Sequence, residues 1–163
     1  MIKIVLPVFL MFASYLQSQM DPNPYRLYLS NDGDELYIKD FQDWDKKNTF
    51  KKNGILFVGS SSIRKWNTSD YFNYKASVIN RGFGGSHISD INYYFNTIIL
   101  AYKPKVIVLY AGDNDIAGNK KPVQVLEDYL EFVGLVQKNI KQAKVIYIPI
   151  KPSPARWSLW GDM

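Results

Sequence analysis

Three short segments of the chain place glycine beside serine, asparagine or aspartate directly after an apolar run. They are residues 59–62 (Gly-Ser-Ser-Ser), 80–85 (Asn-Arg-Gly-Phe-Gly-Gly) and 112–115 (Gly-Asp-Asn-Asp). A serine hydroxyl becomes a nucleophile when a base removes its proton, and N–H groups aimed at the developing oxyanion stabilise acyl transfer. Together, the segments are candidates for a nucleophile and its oxyanion donors.

Each segment alone has a plainer interpretation. A serine cluster after a strand caps the next helix as readily as it supplies a nucleophile. The glycines Gly82, Gly84 and Gly85 are typical of a tight turn, and residues 112–115 are typical of an Asn- and Asp-rich turn. The chemical interpretation therefore depends on whether the fold brings the three segments together.

The elements around these segments can be read from the apolar pattern. Continuous apolar runs predict four strands, over residues 55–58, 76–79, 106–110 and 145–150. Apolar residues at helical spacing predict three helices, over residues 35–47, 88–102 and 122–140. Asp34 would cap the first helix, Pro104 would close the second, and Pro122 suits the first turn of the third.

This alternation of strands and helices predicts an α/β fold. Short, continuously apolar strands are typical of a parallel sheet with helices on both faces, so the expected architecture is a three-layer α/β/α sandwich with a flavodoxin-like sheet. Ligands of such sheets bind at the carboxyl ends of the strands. All three glycine-containing segments follow a predicted strand, so the fold would place them at that edge.

Composition narrows the function classes further. The chain has 163 residues, of which 47% are hydrophobic and 15% aromatic, as expected for one packed domain. The net charge is +5, but the lysines are scattered among acidic residues, so a nucleic-acid partner is not indicated. The absence of cysteine excludes a thiol nucleophile, a disulfide and a thiolate metal site. The single histidine disfavours a zinc site. No metal and no organic cofactor is implied.

The N-terminus resembles a targeting segment. Lys3 precedes an apolar run over residues 4–16, which is too short to span a bilayer comfortably. Residues 1–19 are therefore predicted to be a cleavable signal peptide, with an uncleaved membrane anchor as the alternative. We expect a secreted or periplasmic protein without integral membrane association after cleavage. An extended arm over residues 20–33 and one domain over residues 34–163 would follow.

The order of the three segments resembles the SGNH hydrolases, also called GDSL esterases and lipases, over roughly residues 54–157. The first segment is similar to that of a secreted bacterial branch that begins Gly-Ser-Ser-Ser, with Trp66 downstream. The resemblance implies that Ser61 is the nucleophile. It also implies that the Ser61 and Gly85 backbone N–H groups and the Asn114 amide form the oxyanion hole, with Gly59 and Asp115 supporting them.

The implied activity is that of a serine esterase or acylhydrolase on small-molecule carboxylic esters, such as acetylated carbohydrates or small lipid esters, through an acyl-enzyme. Two departures from the family pattern matter. Ser60 replaces an aspartate, and no Asp-x-x-His block follows His87. The resemblance therefore predicts a C-terminally truncated chain that lacks the last strand and helix and is inactive as given.

Two further residues and one alternative function complete the predictions. His87 is interpreted as a cleft-lining or exposed histidine, with a catalytic role as the lesser possibility. Arg156, in the loop over residues 151–157, would border the pocket, although a surface turn explains it almost as well. The alternative function is a non-catalytic carbohydrate- or lipid-binding module on the same fold, with Met163 as its natural end.

Overall fold

The structure is a computed structural model, and it describes residues 27–28, 37–72 and 77–163. The predicted signal peptide and the Asp34 cap lie outside these residues. Of the predicted arm, Leu27 and Tyr28 are described, and Leu27 is buried in the main core.

Four parallel strands form one sheet. They are β1 Ile55–Gly59, β2 Val78–Gly82, β3 Val106–Tyr110 and β4 Lys144–Tyr147. Their order in the sheet is β2-β1-β3-β4, and every pairing is parallel. The strand order reverses between β1 and β3, and this switch point is where open α/β sheets bind their ligands.

Seven α-helices are described around the sheet, together with two 3₁₀ segments. The helices are α1 Ile38–Lys47, α2 Ser61–Arg64, α3 Thr68–Phe72, α4 Ile88–Tyr93, α5 Phe95–Ile98, α6 Asp113–Ala117 and α7 Pro122–Asn139. The 3₁₀ segments are Leu100–Tyr102 and Pro154–Asp162. Within the described ranges, no helix combines the length and the apolar character that crossing a bilayer would need.

Alternate residues of the central strands face opposite layers, as the pleat of a strand requires. Leu56 and Val58 of β1 belong to the main core, which β3 shares and which helices α1, α4, α5 and α7 cover. Phe57 faces the other side, where α2 and Trp66 pack on it with Val108 of β3. Trp66 packs edge-on against Phe57 and is partly buried in this second cluster. The predicted α/β class with a parallel sheet is confirmed.

The second strand was predicted too early in the chain. It runs over Val78–Gly82 rather than residues 76–79, and it pairs with β1 residue by residue as far as Gly82. Two polar residues at the end of this strand interrupt the apolar pattern from which the strand was predicted. Asn80 donates from Nδ2 to the Ile63 and Trp66 carbonyls at 2.7 and 3.0 Å. The Arg81 guanidinium is buried over aromatic rings and pairs with Asp45 at 2.8 Å.

Other boundaries also differ from the prediction. The fourth strand ends at Tyr147 rather than residue 150, and Pro149, which has no N–H, cannot continue the ladder. The long second helix is broken into α4, α5 and a 3₁₀ turn, with breaks at Tyr94 and Ile99. Helices α3 and α6 were not predicted. The first helix begins at Ile38, and residues 34–36 lie outside the described ranges.

Candidate active site

The three adjacent serines after β1 have different surroundings. Ser60 is fully buried, donates its N–H to the Tyr110 carbonyl at 3.0 Å and precedes the first turn of α2. Ser62 accepts a hydrogen bond from Lys151 Nζ at 3.0 Å. Ser61 opens α2 and is half-buried. Ser61 and Ser62 are thus both partly exposed, and of these two hydroxyls that of Ser62 binds Lys151.

Gly59 makes the turn before the serines possible. Its φ is +147°, and a Cβ at this position would lie 1.9 Å from the Tyr110 carbonyl oxygen. Glycine alone adopts such a backbone without strain. The close approach lets the β1–β3 pairing reach Ser60 before the chain turns into α2.

The second segment closes over the same turn. The Phe83 N–H donates to the Gly59 carbonyl at 2.9 Å, which extends the pairing of β1 with β2. Gly82 lies so near α2 that a Cβ at this position would be 2.4 Å from the backbone nitrogen of Arg64. Gly85 is exposed with φ +71°, and no heavy atom lies within 4 Å of its Cβ position. The backbone at Gly85 therefore borders open space at the sheet edge.

The third segment is the start of a helix rather than the Asn- and Asp-rich turn of its plainer interpretation. Gly112 has φ +116° and packs so tightly on Ile150 that a Cβ would lie 2.7 Å from its Cδ1 atom. Helix α6 then begins at Asp113. Asn114 donates from Nδ2 to the Ser86 carbonyl at 3.1 Å. This bond joins the third segment to the second beside Gly85.

The buried side chain of Asp115 links the third segment to the chain that follows the second segment. Its carboxylate is fully buried and accepts the Ile88 N–H at 3.1 and 3.3 Å. Lys120 Nζ lies 3.4 Å from the same carboxylate and 2.6 Å from Asp128. Burial raises the pKa of the Asp115 carboxyl, although His87, Lys120 and the Ile88 N–H favour its charged form.

His87 belongs to this buried cluster. Only 9% of the residue is exposed, so the interpretation as an exposed histidine is wrong. Its Nδ1 atom lies 3.9 Å from Asp115, and its ring lies against Gly118, where a Cβ would be 2.8 Å from Cε1. The sequence could not show this, because the contact joins residues that are 28 or more positions apart.

A fourth segment, residues 151–156 after β4, also reaches the site. Lys151 Nζ donates to the Tyr110 hydroxyl at 3.0 Å as well as to Ser62. Arg156 donates from Nη1 to Asp113 Oδ2 at 2.7 Å and from Nη2 to Asn114 Oδ1 at 2.8 Å. Sequence reasoning placed Arg156 at the pocket border but missed the contact of Lys151. The available signal was its position after the last predicted strand.

The buried carboxylate gives a stability prediction. Replacing Asp115 by alanine leaves the Ile88 N–H without its acceptor and deprives Lys120 of one of its two carboxylates. We expect a loss of about 2–3 kcal/mol in the free energy of unfolding, measured by urea denaturation. Asp115→Asn should lose less, since the amide oxygen still accepts the Ile88 N–H. A change below about 0.5 kcal/mol in Asp115→Ala, the level of an ordinary surface substitution, would contradict this role.

The site carries no sign of a metal centre. Within residues 27–28, 37–72 and 77–163, no group of three or more histidine, aspartate or glutamate side chains is arranged to hold a metal ion.

Comparison with solved structures gives neighbours of one fold. The chain is similar to a candidate acylhydrolase from Bacteroides fragilis, with 25% identity over 65% of this chain and 55% of that chain and a TM-score of 0.55. It is similar to a GDSL-like lipase from Bacteroides thetaiotaomicron, with 20% identity over 75% and 63% and a TM-score of 0.59. A candidate platelet activating factor from Streptococcus pneumoniae matches with 14% identity over 92% and 67% and a TM-score of 0.64.

The chain therefore has the α/β fold of solved structures that include a GDSL-like lipase, which is the fold that the motif resemblance predicted. The chain spans between 55% and 67% of the length of the three solved chains. No protein-family model matches the chain, and no curated protein sequence matches it.

Proposed function

We propose that the protein is a serine esterase or acylhydrolase that cleaves carboxylic esters through an acyl-enzyme on Ser61. The observation that carries the proposal is the hydrogen bond from Asn114 to the Ser86 carbonyl. It brings the third segment beside the second at the carboxyl end of β1, where Ser61 opens α2. The proposed nucleophile and the proposed oxyanion donors thus all follow strands at one edge of the sheet, which supports the proposal.

The reaction follows from these groups. Ser61 Oγ attacks the ester carbonyl carbon as a base takes the hydroxyl proton. The negative charge on the carbonyl oxygen is stabilised by the Ser61 and Gly85 N–H groups and by the second N–H of the Asn114 amide. The bond to the alcohol oxygen then breaks, and the alcohol leaves with the proton. Water hydrolyses the acyl-enzyme by the same steps.

The base is the remaining requirement. His87 is the one histidine of residues 1–163. Its contacts with Asp115 and Gly118 hold it in the buried cluster beneath the loops, so we do not assign it the proton transfer. We therefore expect residues 20–163 alone to turn over esters slowly.

For the substrate, we propose acetylated carbohydrates or small lipid esters, met outside the cytoplasm. The support for the location is the N-terminal pattern of Lys3 and the apolar run over residues 4–16. The support for the reaction class is the fold shared with a GDSL-like lipase and a candidate acylhydrolase.

The experiment compares the natural protein, isolated from its source, with a chain of residues 20–163 on p-nitrophenyl acetate. The natural protein should hydrolyse the ester, and residues 20–163 should be slower by about 10²–10⁴, the usual contribution of a general base. Equal rates in the two proteins would mean that residues 20–163 supply the base themselves and would refute the expected slow turnover. No hydrolysis by the natural protein would refute the esterase proposal.

A second candidate function is a non-catalytic carbohydrate- or lipid-binding module. One observation favours it: Trp157 and Trp160 are 64% and 54% exposed, and their rings stack with centroids 5.1 Å apart. Exposed aromatic patches of this kind mark ligand surfaces. The module predicts a saturable change in tryptophan fluorescence with an acetylated oligosaccharide and no release of acetate. Release of acetate that depends on Ser61 would exclude it.

A further inference from the structure

We propose that Arg156 is a positioning residue that fixes which end of the Asn114 side chain faces the ester oxygen. The inference rests on the proposed function and adds a residue to it. It starts from a fork geometry, in which the two terminal nitrogens of one guanidinium bind two neighbouring side chains. Nη1 donates to Asp113 Oδ2 at 2.7 Å, and Nη2 donates to Asn114 Oδ1 at 2.8 Å.

The amide of Asn114 has two chemically different ends. Its oxygen only accepts hydrogen bonds, and its nitrogen only donates them. In this structure the oxygen accepts from Arg156, and the nitrogen donates to the Ser86 carbonyl at 3.1 Å. A rotation of the amide by 180° would set its N–H groups against a guanidinium and its oxygen against a carbonyl oxygen. Both contacts would then be repulsive, so the network permits one orientation.

That orientation is the one that acyl transfer needs. An oxyanion is stabilised by a donor and repelled by an acceptor. One N–H of the Asn114 nitrogen is used by Ser86, and the other remains for the ester oxygen. Without Arg156, only one of the two repulsive contacts, the one with the Ser86 carbonyl, disfavours the flipped amide. A fraction of the molecules would then present the amide oxygen to the oxyanion.

Asp113 explains why an arginine serves this purpose. Its carboxylate pairs with the guanidinium, and the two side chains are only 29% and 16% exposed. The fork therefore stays in place and spans two adjacent residues. A lysine would supply one ammonium that cannot bind both partners with fixed geometry.

The test uses Arg156→Lys in the natural protein, with p-nitrophenyl acetate as the substrate. We expect kcat to fall by about 10–100-fold with little change in KM, because the donor acts mainly in the transition state. Guanidinium ion added to an Arg156→Ala variant should restore part of kcat. A change confined to KM, or no response to guanidinium together with an unchanged kcat in Arg156→Lys, would overturn the inference.

A double-mutant cycle separates positioning from a general structural effect. If Arg156 acts through Asn114, then Arg156→Lys should cost little further activity in an Asn114→Ala background. An equal loss in both backgrounds would overturn the inference. NMR of the Asn114 side-chain amide supplies a readout without turnover, since the proton that is bound to the Ser86 carbonyl should lose its hydrogen-bonded shift in part of the Arg156→Lys molecules.

The failures of the two proposals are distinguishable. Hydrolysis that depends on Ser61 but is indifferent to Arg156 would overturn the positioning role and leave the esterase proposal standing. A natural protein without any Ser61-dependent hydrolysis would overturn both.

Discussion

Replacing Ser61 by alanine in the natural protein is expected to lower kcat for p-nitrophenyl acetate by about 10⁴-fold or more. The alanine cannot form the acyl-enzyme, so only binding and the oxyanion donors remain, and these give weak catalysis. The measurement is steady-state hydrolysis together with the burst of p-nitrophenol in the first turnover. The burst should vanish with the hydroxyl.

Ser62→Ala is the matched control, because it removes the same atom one position away. Ser62 binds Lys151, and losing one exposed hydrogen bond is worth about 1 kcal/mol, so kcat should stay within about tenfold. Ser60 is less suitable, since it is fully buried. Loss of activity in Ser62→Ala with full activity in Ser61→Ala would move the nucleophile to Ser62.

Replacing Gly59 by alanine is expected to have the largest effect on stability. The φ of +147° costs a side chain about 1–3 kcal/mol, and a Cβ 1.9 Å from the Tyr110 oxygen adds about 1–3 kcal/mol of overpacking. We therefore expect a loss of about 4 kcal/mol in the free energy of unfolding. Urea denaturation followed by circular dichroism measures it. Because Tyr110 lies in β3, the strain would also separate β1 from β3 and displace Ser61.

Gly134→Ala is the matched glycine control. Gly134 lies within α7, and no heavy atom lies within 4 Å of its Cβ position. Alanine is a better helix former, so this variant should gain about 0.5–1 kcal/mol. Equal unfolding midpoints for Gly59→Ala and Gly134→Ala would contradict the account of the turn after β1.

The sequence predicted the centre of the sheet well for a physical reason. Strands β1 and β3 are continuous apolar runs because layers cover both of their faces, and the pattern alone locates them. The prediction of β2 was wrong at the polar end of the strand. Asn80 and Arg81 are compatible with a strand there because they bind α2 and Asp45. Such partners are distant in sequence and leave no local signal.

The candidate site divides in the same way. Local patterns located the turns at Gly59 and Gly112 and the start of α2 at Ser61, because positive φ angles and helix starts favour glycine and serine. The cross-loop contacts were beyond reach: Arg156 binds Asn114 across 42 positions, and Lys151 binds Ser62 across 89. The burial of His87 likewise depends on α6, and the Asn- and Asp-rich sequence of that helix is more typical of a turn.

The most direct test of the central claim is the site at which a fluorophosphonate reacts with the natural protein. The reagent phosphonylates an activated serine and releases fluoride, and digestion followed by mass spectrometry locates the adduct. The account predicts one adduct, on Ser61, in competition with the ester substrate. An adduct on Ser62, or ester hydrolysis by a protein whose Ser61 stays unmodified, would contradict it.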